Sequence, residues 1–323
     1  MPPADRAGDM TEAFDIVLPI FAFVALGWAL AVTGILQPSV GEGLATFAAT
    51  VGIPLMLFET LVKADLGAAS PWQVWGCYYP AAAASWVLGQ TIAGRVFRLP
   101  AKTAVIAGMG ATFANIGFVG LPLSQRTFGD HGVLIATMVI SVHLPLWMTT
   151  ATVLLLRAEA RDGQPVSPLA AVGRIALAVL RNPIILGLLA GVVAHFVGFR
   201  PSGILERTIH TLGGVASPIA LVSLGMSMHG QSLAGEVAPA LSISALKLLA
   251  LPAFVLAIGR LAGVDDDIVG PLVMIGSVPT GINVYLVATQ FGVGRTIASN
   301  VIAVTTVTAA VTASAWLMWI GHP

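Results

Sequence analysis

Ten apolar stretches, each close to the length of a membrane-spanning helix, follow one another along the chain. A span needs about 20 largely apolar residues, and such stretches occupy 15–33, 44–62, 72–93, 103–125, 133–156, 175–197, 209–228, 237–258, 268–290 and 297–320. Only 9% of the residues are charged, against about 25% in soluble domains. The pattern predicts an all-α polytopic membrane protein with ten transmembrane helices that face the lipid bilayer.

Charge and cysteine content exclude several kinds of function. The formal net charge is zero, so the chain has no basic footprint for nucleic acid. The single cysteine, Cys77, excludes an internal disulfide and a cysteine-rich metal site. The sequence contains no His-Glu-x-x-His, no Gly-x-Ser-x-Gly and no phosphate-binding loop motif. We therefore expect a protein that is not an enzyme and needs no cofactor, metal ion or nucleic acid.

The fourth apolar stretch is interrupted in its second half, which reads Asn115-Ile-Gly-Phe-Val-Gly-Leu-Pro122. Pro122 cannot donate a hydrogen bond to the Phe118 carbonyl, and Gly117 and Gly120 weaken the helix around it. Lipid offers no partner for a freed backbone group, so a broken helix is tolerated only where it is buried in protein or lines a watery cavity. The interruption therefore indicates a binding site at membrane depth.

The ninth stretch carries a matching interruption, which reads Ser277-Val-Pro-Thr-Gly-Ile-Asn-Val-Tyr285. Paired broken helices indicate a transporter binding site, because a helix that starts in mid-membrane offers unpaired N–H groups and a partial positive charge to an anion. The alternative is that the prolines only kink their helices and the asparagines only join them. The predicted substrate-binding residues are Asn115, Gly117, Gly120, Pro122, Pro279, Thr280, Asn283 and Tyr285.

The two halves of the chain carry proline and glycine at corresponding places. An offset of 164 residues relates Pro19 to Pro183, Gly27 to Gly191 and Pro54 to Pro218. Each half would hold five spans, and an odd number forces the second half to enter the membrane from the opposite side. We predict a first five-helix repeat at 1–160, a cytoplasmic linker at 161–174 and a second, inverted repeat at 175–323.

Lysine and arginine in short loops predict the orientation, because they favour the cytoplasmic side. The loop between spans three and four and the linker between spans five and six hold seven of the fifteen, at Arg95, Arg98, Lys102, Arg157, Arg161, Arg174 and Arg181. Both segments lie on one side, which we assign to the cytoplasm. We therefore expect a protein of the cell inner (plasma) membrane with both termini outside.

Several stretches resemble motifs of the auxin efflux carrier family. Besides the two interruptions, they are Val51-Gly-Ile-Pro-Leu-Met-Leu-Phe58, Arg181-Asn-Pro-Ile-Ile185 and Ser217-Pro-Ile-Ala-Leu-Val-Ser-Leu-Gly225. The resemblance implies inverted repeats whose helices four and nine cross at their breaks, in a fold similar to bile acid symporters and sodium/proton antiporters. Plant members export auxin, and bacterial relatives are often assigned to dicarboxylates such as malate or malonate. The plant carriers' long central loop is absent, so the chain looks like the compact bacterial branch.

Three ionisable side chains within the spans are candidates for coupling or charge balance. Lys247 could balance an anionic substrate or exchange its charge with a proton, or its amine could reach the membrane surface. Glu59 has Lys63 at i+4, which favours a salt bridge at a helix end over a proton-carrying carboxylate. His143 could titrate, although a neutral, hydrogen-bonded histidine is the simpler interpretation.

The function that these features predict is secondary transport of a small organic anion, a mono- or dicarboxylate, by alternating access. The scarcity of buried carboxylates favours proton coupling or uniport over sodium coupling. The alternatives are an ion or solute channel, for which the sequence shows no repeated filter-like motif, and an intramembrane enzyme, for which the catalytic motifs named above are absent. A homodimer is compatible with this prediction.

Overall fold

The computed structural model describes residues 6–63, 69–161, 181–229 and 235–321. Most of the predicted linker (161–174) and the start of the predicted sixth span (175–180) therefore lie outside the described residues. The helices within these ranges are α1 (Arg6–Val32), α2 (Pro38–Phe47), α3 (Ile53–Lys63), α4 (Pro71–Thr91), α5 (Ala101–Gly110), α6 (Leu121–Arg161), α7 (Pro183–Phe196), α8 (Gly203–Gly214), α9 (Ala216–Ser227), α10 (Val237–Ala245), α11 (Leu251–Leu261), α12 (Asp266–Ser277), α13 (Asn283–Gln290) and α14 (Arg295–Ile320). Four π-helical turns, Ala48–Gly52, Ile92–Val96, Ile116–Gly120 and Leu246–Ala250, adjoin them.

Six helical segments of the described chain are long and apolar enough to cross a membrane. They are Asp15–Val32, Pro38–Lys63, Ile116–Ala158, Gly203–Ser227, Val237–Leu261 and Arg295–Ile320. The protein is thus a polytopic, all-helical membrane protein, as predicted. The count is lower than the ten predicted spans partly because the fourth and ninth stretches are divided into shorter helices at their interruptions.

The long helix α6 contains a sharp change of direction. Gly129 has φ 59° and ψ −146°, a conformation that glycine adopts without steric cost. Beyond it the chain runs back along itself: a Cβ on Gly132 would lie 2.6 Å from the Ser124 carbonyl oxygen, and one on Gly117 would lie 4.0 Å from Ile140. The apolar segment 116–158 therefore consists of two antiparallel helical pieces.

Close contacts between backbones join the two halves of the chain. Helix α1 packs on α9, and α3 packs on α7. A Cβ on Gly27 would lie 2.0 Å from the Val222 carbonyl oxygen, and one on Gly191 would lie 3.0 Å from the Phe58 Cα. Only glycine permits the first approach, so glycine in α1 determines how close α9 can lie.

The remaining helices form a second packed group around the interrupted helices. Helix α4 packs on α5 and α11, α11 packs on α12, and α10 packs on α14. Polar side chains reach main-chain carbonyls across this group, as in the bonds from the Tyr79 hydroxyl to the Val139 oxygen (2.7 Å) and from Trp316 Nε1 to the Leu248 oxygen (2.9 Å). Such bonds fix the helices that surround the interruptions.

Candidate functional site

The two interrupted helices meet at an antiparallel pair of non-helical segments, residues 111–115 and 278–282, which we call the crossover. Ala114 and Thr280 form an isolated antiparallel bridge. The Asn115 N–H donates to the Pro279 carbonyl oxygen at 2.9 Å, and the Gly281 N–H donates to the Phe113 carbonyl oxygen at 2.9 Å. Groups that lose their helical partners at one break therefore find partners at the other, as a lipid environment requires.

Hydroxyl groups on neighbouring helices satisfy other backbone groups of the crossover. Ser85 Oγ on α4 donates to the Ala111 carbonyl oxygen at 2.7 Å. Thr280 Oγ1 donates to the Gly110 carbonyl oxygen at 2.8 Å, while the Thr280 N–H donates to Thr305 Oγ1 at 3.0 Å. The crossover is thus held by specific hydrogen bonds, so its position between the helices is defined.

Lys247 lies beside the same structure. It belongs to the π-helical turn between α10 and α11 and is fully buried. Its Nζ donates to the carbonyl oxygens of Gly276 and Val278, each at 2.6 Å. The lysine therefore does not reach the membrane surface, and its amine contacts the carboxyl end of α12.

A small cavity of about 220 Å³ opens beside the crossover, and we call it the crossover cavity. Its wall includes asparagines from three separate segments, a histidine, and the glycine of the fourth-span motif. Among the described residues that line it there is no lysine, arginine, aspartate or glutamate. The polar side chains and the glycines of the lining are Asn115, Gly117, His143, Asn182, Gly281 and Asn283.

Hydrogen bonds within the wall leave donors available to a ligand. Asn115 Oδ1 accepts from the Phe118 N–H at 3.4 Å, and Asn182 Oδ1 accepts from the Ile184 N–H at 2.9 Å. Because each side-chain oxygen accepts a bond from the main chain, the group that remains for a ligand is the Nδ2 amide group, a donor. Both asparagines therefore present donors at the cavity.

His143 adds a third donor. Its Nε2 accepts from the Ala114 N–H at 3.1 Å, which places the proton of a neutral imidazole on Nδ1. That Nδ1 is buried and has no hydrogen-bond partner among the described residues. A buried donor without a partner is unfavourable, so a ligand or water oxygen at this position would satisfy it.

Three helix N-termini converge on the crossover cavity. The π turn that leads into α6 starts at Ile116, α7 starts at Pro183, and α13 starts at Asn283. Residues at each of these starts line the cavity. The first turn of a helix carries a partial positive charge, so the wall favours an anion without a buried cationic side chain.

Of the residues predicted from sequence, Asn115, Gly117, Asn283 and His143 line the crossover cavity, and the others do not. Pro279 and Thr280 support the crossover through the bonds above. Gly120 and Pro122 are buried in the helical turns behind it. Tyr285, on α13, is 36% exposed and does not line the cavity.

Asn182 lines the crossover cavity but is absent from the predicted set. It caps α7, because its Oδ1 accepts from the Ile184 and Ile185 N–H groups. The signal was present in the sequence: asparagine followed by proline is typical of a helix start, with Asn as N-cap and Pro at the first helical position. Its place at the cavity depends on how α7 packs on α3, which the sequence does not state.

Glu59 belongs to a different cavity of about 500 Å³, which we call the Glu59 cavity. The predicted salt bridge is confirmed, since Lys63 Nζ lies 2.7 Å from Glu59 Oε1. His210 Nδ1 on α8 also lies 3.1 Å from Glu59 Oε1. Along α3 and the turn before it, Ala49 lines the crossover cavity and Met56 lines the Glu59 cavity. The two cavities therefore lie at different levels along this helical segment, with Ile53 between Ala49 and Met56 in the chain.

Apolar helices long enough to cross a membrane, two interrupted helices that meet within the bundle, and a small polar cavity beside them define an integral membrane transporter. The chain belongs to the family described as "Membrane transport protein", whose sequence profile matches residues 13–317. This is the auxin efflux carrier family, so the resemblance seen in the motifs is confirmed.

Relatives of the chain carry transporter names. It is 28% identical over 320 residues to a protein of Rhizobium meliloti (strain 1021) named "Putative malonate transporter", covering 95% of this chain and 96% of that protein. It is 26% identical over 245 residues to an uncharacterized transporter of Methanothermobacter thermautotrophicus, covering 74% and 75%. An uncharacterized transporter of Escherichia coli (strain K12) is 21% identical over 228 residues, covering 69% and 70%. These names indicate a transport role rather than catalysis.

Proposed function

We propose that the protein transports a small mono- or dicarboxylate across the cell inner membrane by alternating access. The observation that carries the proposal is the crossover cavity, where hydrogen-bond donors and three helix N-termini converge without a charged side chain among the described lining residues. An ionised carboxylate only accepts hydrogen bonds, so it matches this wall. The relative named for malonate, a dicarboxylate, supports the same substrate class.

The size of the cavity favours a small substrate. Pockets for drug-sized ligands span roughly 300–1,000 Å³, whereas the crossover cavity measures about 220 Å³. A dicarboxylate of three or four carbons is therefore a better match than a carboxylate attached to a large ring. Asn115 and Asn182 would bind its oxygens through Nδ2, and His143 would bind through Nδ1.

The transporter consists of ten spans in two inverted five-helix repeats that pack as two units. One unit contains α1, α3 and α7 to α9, and the other contains the crossover. The contacts between α1 and α9 and between α3 and α7 support the repeat, because Gly27 faces Val222 and Gly191 faces Phe58. The offset of 164 residues relates Gly27 to Gly191 and Phe58 to Val222, so one contact is the counterpart of the other.

Access alternates between the crossover cavity and the Glu59 cavity. Ile53 lies between them on α3, and a methyl group on Gly117 would lie 3.7 Å from Ile53 Cδ1 and 4.0 Å from Ile140 Cδ1. Movement of the crossover unit against α3 would open this apolar barrier on one side and close it on the other. With both termini outside, the crossover cavity faces the cytoplasm and the Glu59 cavity faces outward.

Binding of carboxylates to purified protein tests the substrate class directly. We expect malonate, malate and succinate to raise the thermal-unfolding midpoint, because a ligand that binds only the native state stabilises it. Each compound is compared with sodium chloride at equal ionic strength, and choline and glycerol serve as cationic and neutral controls. A midpoint that responds to choline or glycerol but to none of the carboxylates would contradict an anion site.

Replacing Gly117 with alanine tests whether the cavity is the transport site. The added methyl group makes ordinary contacts at 3.7–4.0 Å with Ile53, Ile140 and Ile184, so the fold should tolerate it while the cavity becomes smaller. We expect the KM for uptake of malonate to rise by about tenfold, since a misplaced methyl group in a binding pocket changes binding by about 1–3 kcal/mol. Longer dicarboxylates should be affected more strongly than malonate.

The matched control for this variant is Gly43→Ala, because Gly43 is an exposed helical glycine with open space around its Cβ position. It should leave the KM for malonate unchanged. If Gly117→Ala proteoliposomes took up every dicarboxylate with the wild-type KM, the crossover cavity would not be part of the transport pathway.

A further inference from the structure

The buried amine of Lys247 occupies a position that main-chain oxygens would offer to a metal cation. Among the residues whose burial the structure describes, Lys247 is the only buried lysine, arginine, aspartate or glutamate. No carboxylate of the described chain forms an ion pair with it. Its charge is instead compensated by two short bonds to carbonyl oxygens, those of Gly276 and Val278.

These two oxygens are available because α12 ends at the crossover. In a continuous helix the Gly276 oxygen would accept from the N–H of residue 280, but the Thr280 N–H donates to Thr305 Oγ1. Val278 lies just beyond the end of α12 with extended backbone angles, φ −69° and ψ 155°. Carbonyls at the carboxyl end of a helix carry a partial negative charge, so the geometry favours a cation at this point.

In transporters with discontinuous helices, unwound carbonyls and the carboxyl ends of half-helices coordinate sodium ions. An ammonium group forms charge-assisted hydrogen bonds to the same oxygens. The adjacent Pro279 oxygen accepts from the Asn115 N–H, so the bound charge lies one residue from the bond that joins the two breaks. Lys247 therefore stabilises the crossover in the way that a bound ion would.

We propose that Lys247 is a built-in cation that takes the place of a sodium ion at the crossover. The protein then keeps one positive charge beside the crossover and needs no sodium ion to stabilise the crossover. Removal of the side chain as far as Cβ should create a sodium site between the Gly276 and Val278 oxygens. The proposal rests on the proposed transport function only in its consequence that substrate transport is independent of sodium.

The test measures thermal unfolding without any carboxylate, in sodium chloride, potassium chloride or N-methylglucamine chloride at equal ionic strength. Wild-type protein should unfold at the same midpoint in all three salts. Lys247→Ala should unfold at a lower midpoint than wild type in N-methylglucamine, and sodium should raise that midpoint by about 3 °C or more. Lys247→Met fills most of the space, so it should be destabilised but insensitive to sodium.

Arg207→Ala is the matched control, because Arg207 is an exposed cationic residue of α8, outside the crossover. It should respond to none of the salts. A sodium-dependent rise in the wild-type midpoint would overturn the proposal, and so would a folded Lys247→Ala protein with equal midpoints in the three salts. If neither Lys247 variant can be purified, the wild-type comparison decides. Because no carboxylate is present, failure here is distinguishable from failure of the carboxylate site.

Discussion

Replacing Asn115 with aspartate is expected to abolish saturable carboxylate uptake in proteoliposomes while the protein still folds. Aspartate caps a helix as well as asparagine does, so the bond that Asn115 accepts from the Phe118 N–H can be retained. The new negative charge replaces the Nδ2 donor at the cavity. Two like charges about 4 Å apart repel by about 4 kcal/mol at an effective dielectric constant of about 20. We therefore expect uptake of malonate to fall by at least about a hundredfold.

Two further variants distinguish the effect of the added charge from an effect on folding. Gln37→Glu adds one negative charge at an exposed position before α2, away from the cavity, and should leave uptake unchanged. Asn115→Ala removes both the cap and the donor, so it should lose uptake and also about 0.5–2 kcal/mol of stability. Saturable uptake of malonate by folded Asn115→Asp protein, at the wild-type rate, would remove Asn115 from the site.

The interruptions themselves could be predicted from the sequence because their causes are local. Pro279 has no N–H to donate and Gly281 weakens the following turn, whatever the rest of the chain does. Some of the polar residues that line the cavity could also be predicted, since Asn115 and Asn283 belong to the interrupted stretches. Their meeting in one cavity could be predicted only through the pairing of two stretches that are far apart in sequence, since Ala114 and Thr280 are separated by 166 residues.

Other parts of the site depend on packing that local patterns do not encode. Lys247 is an isolated cation in an apolar stretch, and the sequence leaves open whether its amine reaches the membrane surface or the protein interior. The π turn that carries it and the end of α12, 29 residues away, together direct the amine to two carbonyls. Asn182 could be predicted as a helix cap, but its position at the cavity arises from the packing of α7.

Replacing Gly27 with alanine is expected to produce the largest loss of stability among single-methyl changes in α1. The new Cβ would lie 2.0 Å from the Val222 carbonyl oxygen and 3.0 Å from the Val222 Cα, and backbone atoms cannot rotate away as a side chain can. Helices α1 and α9 would have to separate along their contact. Overpacking a core costs about 1–3 kcal/mol, occasionally more, and we expect at least about 3 kcal/mol here because the clash is with backbone.

Gly76→Ala is the matched control for this prediction. Gly76 lies in α4 with open space around its Cβ position, so alanine there should stabilise the helix by about 0.5–1 kcal/mol. Opposite shifts of the thermal-unfolding midpoint in the two variants would therefore show that the loss at Gly27 comes from the contact with α9 and not from helix propensity. If both variants unfolded within about 1 °C of wild type, the close contact between Gly27 and the Val222 carbonyl would be contradicted. The corresponding change at Gly191 should cost less, because its nearest backbone neighbour would lie at 3.0 Å instead of 2.0 Å.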